Sequence, residues 1–354
     1  MRAQQQNEPT NEAQPASNQA DNPQTNFEWK KLIPGLVVSV AAIIIILMIV
    51  KPGEVLAQIG KADYRWIAAS ASLSVVWLVV RAFYWRVLLL GKASFRSVFL
   101  SINEGYLLNN ILPFRLGEIG RAILLARKSP LSFWQIIPSI IIERALDIGM
   151  TIAMFFGSLP FVMQAASANS LAMVMGVAAV FGLAVLFVMA RKPELVRKLA
   201  FGLTRFSTRL QKLVERPLSS FLEGILILAD NRRFLVAMIW LLINWGISVL
   251  QVTLLLRAFF PEAQPIWAFF ILGCTALGNA APSTPGAVGV AELAITTGLL
   301  FFNVNPETAA AYAVMTRLIN YLFTGVIGSF ALSQEKISLR ALFISLYNRS
   351  RGKE

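Results

Sequence analysis

The sequence predicts an all-α polytopic membrane protein with about six full spans and two broken re-entrant helical hairpins that form an inverted repeat. Three observations support this fold class. Only 14% of the 354 residues are charged, whereas a soluble domain is about 25% charged. Several apolar runs reach the roughly 20 residues that an α-helix needs to cross a bilayer. Two further apolar regions are interrupted near their middle by the same pattern of Asn, Pro and Gly.

The composition also excludes several kinds of site. The chain contains no histidine, which rules out His-based triads, His general bases and His metal ligands. Its single cysteine, Cys274, lies in an apolar stretch, so a disulfide framework and a cysteine zinc site are both excluded. We predict that the protein is not an enzyme and that it has no catalytic residue, no metal and no cofactor.

The chain divides into three predicted regions. Residues 1–28 are rich in Gln, Asn, Pro and Ala without an apolar period, which predicts a disordered cytoplasmic tail. Residues 29–333 form the predicted transmembrane domain, and residues 334–354 form a basic cytoplasmic tail. Within the domain, leucines at helical spacing alternate with basic residues over 194–216, which predicts an amphipathic helix on the cytoplasmic surface.

The distribution of basic residues predicts the orientation. With the N-terminus inside, twenty-three lysines and arginines face the cytoplasm and four face the outside, as the positive-inside rule requires. Both termini are then cytoplasmic, and the net charge of +13 reflects membrane topology and not nucleic-acid binding. The predicted full spans are 32–50, 66–90, 134–158, 171–190, 234–256 and 308–332, and the predicted hairpins are 98–126 and 266–302.

The two interrupted regions share a motif. Four residue types recur at a constant offset of 169 positions, and proline and glycine both weaken a continuous helix. Inverted repeats with broken helices that meet near the midplane are typical of transporters. The motif residues are Asn110, Pro113, Gly117 and Gly120 in the first region and Asn279, Pro282, Pro285, Gly286 and Gly289 in the second.

Ten charged residues fall inside the predicted membrane segments. A charge at the bilayer centre costs on the order of 2.5–3.5 kcal/mol, so these side chains should face the interior and pair. Two interpretations stay open: buried ion pairs that fix helix packing, or a polar cavity for a charged lipid head group, to which arginine is suited. The residues are Arg81, Glu104, Arg115, Glu118, Arg121, Glu143, Arg144, Asp147, Glu292 and Arg317.

Three stretches that contain many of these charged residues resemble sequences of the lysylphosphatidylglycerol synthase transmembrane (flippase) family. Residues 109–118 with Arg121 resemble its first signature, 143–147 its E-R-x-x-D element, and 282–292 its later P-x-x-P-G-x-x-G-x-x-E signature. The resemblance implies a lipid-flipping domain in the bacterial cytoplasmic membrane. The predicted head-group residues are Arg115, Glu118, Arg121, Glu143, Arg144, Asp147, Glu292 and, by its place in the repeat, Arg317.

The resemblance leaves the function open in one respect. In full-length synthases a soluble aminoacyl-transferase domain follows the membrane part, and we expect that domain to be absent here, so the lipid that is moved stays open. The leading hypothesis is a flippase or transporter of a polar, phospho- or aminoacylated lipid. The alternative is a non-transporting membrane partner of a lipid-modifying enzyme or glycosyltransferase. A third hypothesis is an intramembrane enzyme in which Glu143 and Asp147 hold a metal.

Overall fold

The computed structural model is entirely helical over the residues that it describes, which are 33–112, 116–163, 230–280 and 284–334. This part of the chain contains ten α-helices and one 3-10 turn and no strand, which confirms the predicted all-α class. The helices are α1 Ile33–Ile49, α2 Pro52–Lys61, α3 Tyr64–Leu88, α4 Phe95–Ile111, α5 Gly117–Lys128, α6 Phe133–Met163, α7 Asn231–Phe259, α8 Pro265–Ala280, α9 Val290–Leu300 and α10 Pro306–Ser333.

Four of the helices, α3, α6, α7 and α10, are long and apolar enough to cross a membrane. They coincide with the predicted spans 66–90, 134–158, 234–256 and 308–332. Polar side chains start three of them: Asp63, Asp230 and Asn305 each accept a hydrogen bond from a backbone N–H of the first helical turn, which satisfies donors that the helix leaves unpaired. The predicted span 171–190 and the amphipathic helix 194–216 lie outside the described residues.

The first predicted span, 32–50, is followed by a feature that the sequence prediction missed. Helix α1 ends at Ile49, and α2 begins at Pro52 with its axis bent by 76° from that of α1. Proline lacks a backbone N–H and restrains the residue before it to an extended conformation, and Lys51 indeed has φ −95° and ψ 119°. The two helices count together as a fifth candidate span only if a bent pair crosses the membrane.

The first interrupted region forms a hairpin of α4 and α5. Helix α4 ends at Ile111 and α5 begins at Gly117, so the break lies between Asn110 and Gly117, as the motif predicts. The side chain of Asn109 closes the turn by accepting a hydrogen bond from the Gly117 amide at 2.8 Å. Gly117 also lies against the Gly105 carbonyl oxygen so closely that a Cβ would overlap it.

The second interrupted region forms a hairpin of α8 and α9 around the 3-10 turn Pro285–Ala287. Gly286 and Gly289 have φ of +70° and +84°. Residues other than glycine rarely adopt a backbone conformation with such a positive φ. The carboxylate of Glu292 accepts a hydrogen bond from the Gly289 amide at 2.7 Å and so caps α9. Asn279 lies in the last turn of α8.

The two hairpins enter the protein from opposite ends and meet beside α10. The Asn110 side chain at the end of α4 donates a hydrogen bond to the Thr324 hydroxyl at 2.9 Å, and Arg317 donates to the Gly286 carbonyl at 2.6 Å. Both positions lie in the middle third of α10. At 1.5 Å per residue, each break therefore lies roughly 15 Å from one end of that helix. The sequence-level repeat itself stays a prediction.

The distribution of side chains is that of a membrane protein, with charges inside and apolar groups outside. Glu143, Arg121 and Arg81 are almost completely buried, whereas Leu322 and Val326 on α10 are 60% and 63% exposed. Since lipid tails solvate apolar side chains and not charged ones, this arrangement suits a bilayer. Helices α3 and α7 pack antiparallel, since the Asp63 amide donates to the Ala258 carbonyl at 3.0 Å and Phe83 stacks on Trp240.

Candidate functional site

Six charged side chains from three helices converge in one group, which we call the arginine–carboxylate cluster. Over the part of the chain that the structure describes, the cluster is electrically balanced, with three arginines and three carboxylates in ion-pair contact. Arg81 lies roughly 10 Å from the end of α3, and the three α6 residues lie roughly 15–20 Å from the start of α6. Glu118 and Arg121 follow the break at the start of α5, so the cluster lies inside the protein. The members are Arg81 from α3, Glu118 and Arg121 from α5, and Glu143, Arg144 and Asp147 from α6.

Glu143 is the centre of the cluster. It is completely buried and pairs with three arginines: Arg81, Arg121 at 3.0 Å and Arg144 at 2.9 Å. A buried carboxylate costs several kcal/mol to desolvate unless charged partners compensate it. Three guanidinium groups around one carboxylate provide that compensation, and they leave positive charge that Glu118 and Asp147 balance.

The two buried arginines are held from several sides. Arg81 donates to the Asp147 carboxylate at 3.0 Å, and its guanidinium lies 5.5 Å from the centre of the Tyr84 ring. Arg121 pairs with Glu118 at 2.6 Å and lies 4.6 Å from the centre of the Trp85 ring. Such cation–π contacts add about 0.5–2 kcal/mol each, so both guanidinium groups are fixed in place.

Arg144 differs from the other two arginines in its exposure. Its side chain is 37% exposed, against 3% for Arg81 and 2% for Arg121. It reaches Asp147 at 3.3 Å and Glu118 only at 3.8 Å, and Glu118 is itself 25% exposed. Arg144 and Glu118 therefore form the accessible edge of the cluster, where a guanidinium can exchange a protein carboxylate for an anionic ligand.

Several buried hydrogen-bond donors around the cluster lack an acceptor among the described residues. They include the Trp77 indole N–H, the Tyr84 hydroxyl, and the Nε–H groups of Arg81, Arg121 and Arg144. A buried donor without a partner costs about 1–3 kcal/mol, so such groups tend to be retained where a ligand or water satisfies them. A surplus of donors favours a ligand rich in acceptor oxygens.

The cluster is poorly suited to a metal ion. Both Glu143 and Asp147 are already paired with guanidinium groups, whose positive charge opposes a cation. Among the described residues, no three carboxylate, histidine or cysteine side chains come together as a set of metal ligands.

Glu292 and Arg317 form an ion pair of their own at the second break. Arg317 donates through Nε to Glu292 at 2.6 Å and through its two Nη atoms to the carbonyls of Gly286 and Ala287, at 2.6 and 3.3 Å. It also lies over the Tyr321 ring at 5.2 Å. All three nitrogens of this guanidinium thus donate hydrogen bonds that hold the second break against α10.

The structure therefore brings together five of the predicted head-group residues: Glu118, Arg121, Glu143, Arg144 and Asp147. Glu292 and Arg317 pair with each other, while Arg115 lies outside the described residues, as do the motif residues Pro113 and Pro282. The remaining motif residue, Gly120, is buried in the first turn of α5.

Arg81 is the cluster residue that the sequence prediction missed as a site residue. It stood among the intramembrane charges, but it belongs to none of the motif stretches. A usable signal was present, because Arg81 is the single charged residue between Trp66 and Tyr84 in a long apolar helix, and such a residue should face the interior and pair.

Comparison with known proteins gives the chain a family. The sequence model of the lysylphosphatidylglycerol synthase TM region matches residues 32–328, a span that contains every member of the cluster. No solved structure matches the chain.

Three archaeal proteins are similar to the chain. A protein named glycosyltransferase AglD, from Haloferax volcanii, is 25% identical over 87% of this chain. The chain spans only 55% of the length of that relative. UPF0104 membrane proteins from Methanothermobacter thermautotrophicus and Methanocaldococcus jannaschii are 23% and 19% identical, each over 84% of this chain and 93% of their own length.

The family match and the fold agree. The match includes both broken hairpins and the helices that carry the cluster. Two of the three relatives are named as membrane proteins, and the chain aligns with 93% of their length. The chain belongs to the family of the lysylphosphatidylglycerol synthase transmembrane region and is a multi-pass membrane protein.

Proposed function

We propose that the protein moves a polar lipid across the membrane and binds its head group at the arginine–carboxylate cluster. One observation carries the proposal: a balanced group of six charges lies inside a membrane protein, with Arg144 and Glu118 accessible at its edge. A purely structural ion-pair network has no need of an accessible edge. A transporter does, because the head group must exchange partners with the protein as it enters and leaves.

The chemistry of the cluster favours a head group that contains phosphate. Arginine presents N–H donors in a planar fork that matches phosphate oxygens, and the unpartnered buried donors around Arg81 and Arg144 also require acceptors. The carboxylates of the cluster are engaged by arginines. A phosphate can take over one arginine and release Glu118, which then becomes available to a cationic group on the same lipid, such as an amine.

The hairpin geometry supports access from both sides. The α4–α5 hairpin begins and ends at the end of the protein where α3 stops, and the α8–α9 hairpin begins and ends at the opposite end. Their breaks come close together, since a Cβ on Gly286 would lie 3.6 Å from the Asn110 carbonyl oxygen. Small rigid-body movements of one hairpin against the other would expose the cluster to one leaflet and then to the other, as in transporters with inverted repeats.

Charge asymmetry between the two ends supports an orientation with the α3–α4 connection in the cytoplasm. The described residues at that end carry many basic groups and one acidic group, Asp230. The opposite end, where α2 lies and which we call the α2 end, carries four basic and four acidic residues. The positive-inside rule then places the first end inside. The basic residues are Arg86, Lys92, Arg96, Arg127, Lys128, Arg232 and Arg233.

The orientation can be tested with single cysteines. In a Cys274→Ser background, we expect Glu262→Cys to react with a membrane-impermeant maleimide in intact cells, because Glu262 is an exposed residue at the α2 end. Lys92→Cys, equally exposed at the opposite end, should react only after lysis. Labelling of Lys92→Cys in intact cells and not of Glu262→Cys would reverse the proposed orientation.

Arg144→Ala tests the transport function. In proteoliposomes containing fluorescently labelled phosphatidylglycerol, we expect the initial rate of translocation to fall at least about tenfold, the effect of losing roughly 1.4 kcal/mol of ligand binding. Because Arg144 is the most exposed arginine of the cluster, the variant should still fold, which size-exclusion chromatography checks. Arg144→Lys keeps the charge but loses the fork and should retain an intermediate rate.

The matched control is Arg65→Ala, which removes an exposed arginine at the start of α3. Its translocation rate should stay within about twofold of the wild type, since an exposed surface charge contributes little to structure. If folded Arg144→Ala protein moves lipid at the wild-type rate, the proposed role of the cluster is wrong.

A second candidate function is that of a non-transporting partner of a glycosyltransferase or another lipid-modifying enzyme. The observation that favours it is the similarity to the Haloferax protein named glycosyltransferase AglD, of which the chain spans about half. On this hypothesis the purified chain would not move lipid at all, and it would co-purify with a transferase from its native membrane. Translocation by the purified chain alone would reject it.

A further inference from the structure

A pocket of about 220 Å³ lies between α1, α9 and α10, on the side of the protein toward the α2 end. Its place follows from its lining residues on α10, which fall in the first three turns of that helix. The arginine–carboxylate cluster is formed by other helices, α3, α5 and α6. The wall of the pocket is made chiefly by Ile43, Ile46, Val288, Thr296, Ala310 and Val314.

The pocket opens toward the surface that faces lipid. Three of its lining residues, Ile43, Val288 and Val314, are 39%, 40% and 37% exposed, and α1 beside them carries further exposed apolar side chains, such as Leu47 at 53%. In a membrane protein such a surface is in contact with hydrocarbon chains. A lipid chain can therefore enter the pocket from the side without crossing water.

The charge of the pocket favours an uncharged ligand group. Of the described residues that line the pocket, only Glu292 is charged, and both of its oxygens are already engaged, one by Arg317 at 2.6 Å and the other by the Gly289 amide at 2.7 Å. The pocket wall is thus nearly neutral. It does not require a phosphate or an amine from the ligand.

Thr296 adds a specific polar group to this apolar wall. Most helical threonines here donate their hydroxyl to the carbonyl four residues earlier; Thr297, for example, donates to Leu293 at 2.7 Å. Thr296 is only 1% exposed, and its hydroxyl has no partner among the described residues. A buried hydroxyl without a partner is unfavourable, and an oxygen of a ligand in the pocket would satisfy it.

We propose that this pocket binds the upper part of a lipid acyl chain, with the ester carbonyl of the lipid accepting a hydrogen bond from Thr296. The apolar wall contacts the acyl chain, and the Thr296 hydroxyl donates a hydrogen bond to the ester oxygen at the start of that chain. The site is additional to the cluster and is lined by different helices. It goes beyond the proposed function, because a bound lipid chain here does not require that lipid be translocated.

The probe for this site is phosphatidylglycerol with a diazirine group on its acyl chain close to the ester, incorporated into nanodiscs with the full chain. After irradiation, mass spectrometry should locate adducts on Ile43, Val288 and Val314. Thr296→Val preserves shape and removes the hydroxyl, so we expect about a fivefold loss of labelling, the equivalent of one hydrogen bond of about 1 kcal/mol. The matched control Thr297→Val should label as the wild type does.

A second pair of variants tests the space itself. Ala310→Trp fills the pocket and should abolish the adducts on its wall, whereas Val326→Trp, on an exposed part of α10, should not change them. Wild-type adducts spread evenly over exposed apolar residues, or adducts that neither Thr296→Val nor Ala310→Trp reduces, would refute the site. Arg144→Ala should leave the labelling intact, so failure of the transport proposal and failure of this one can be told apart.

Discussion

Glu143→Ala is expected to destabilise the protein more than any other single change in the cluster. The substitution leaves Arg81, Arg121 and Arg144 without the carboxylate that all three contact. Removing one partner of a buried ion pair costs about 3–5 kcal/mol, because the remaining charge is uncompensated. We expect low yield, loss of the monodisperse peak in detergent and a marked fall in the apparent Tm.

Two controls separate buried charge from charge in general. Glu54→Ala removes an exposed carboxylate, 54% accessible and paired with Lys51 at 3.3 Å, and should change stability by less than about 1 kcal/mol. The double variant Glu143→Leu with Arg121→Leu should be more stable than Glu143→Leu alone, because it removes one of the stranded guanidinium groups. Equal stability of the single and double variants would mean that the arginines do not depend on Glu143.

Gly117→Ala is expected to have the second largest effect. A Cβ at this position would overlap the Gly105 carbonyl oxygen and the side chain of Asn109, so the α4–α5 hairpin could not close as it does. Overpacking costs about 1–3 kcal/mol, and since the obstacle includes backbone, which cannot rotate away, we expect the upper end of that range. At roughly 2–4 °C per kcal/mol, the apparent Tm should fall by at least about 5 °C.

The matched control is Gly325→Ala, which lies in the middle of α10 with nothing within 4 Å of the added carbon. Alanine is about 1 kcal/mol more favourable than glycine inside a helix, so this variant should be as stable as the wild type or slightly more stable. Both variants also report on function: Gly117→Ala moves Glu118 and Arg121, and should lower the translocation rate along with the Tm. A Gly117→Ala protein with an unchanged Tm would show that the two helices do not pack this closely.

The long helices and the two breaks could be predicted from the sequence because both are encoded locally. An apolar run such as 234–256 must be helical in a bilayer, since no water is present to satisfy its backbone, and α7 covers it as Asn231–Phe259. Pro and Gly interrupt helices through their own backbone properties, so the motif around Gly286 marked the second break. The bend between α1 and α2 at Pro52 had the same local signal and was overlooked.

The pairing of the charges could be predicted only in part. The one-turn spacing of Glu143 and Asp147 placed both on one face of α6 correctly. Arg144 points about 100° away from that face, yet its long side chain turns back to reach both carboxylates, at 2.9 and 3.3 Å. A helical wheel describes the direction of the Cβ and not the reach of a guanidinium.

By itself, the sequence determined the membrane class, the positions of the described long helices and breaks, and the presence of charges that had to find partners. The tertiary structure alone decided which partners they found: Arg81 joins α6 because α3 packs there, whereas Glu292 and Arg317 hold the second break together. The physical reason is that the backbone hydrogen bonds of a membrane segment must be satisfied within that segment. The residues of the segment itself therefore decide where a helix begins, breaks and ends. The contacts of a buried charge depend on how separate helices rotate and pack against each other.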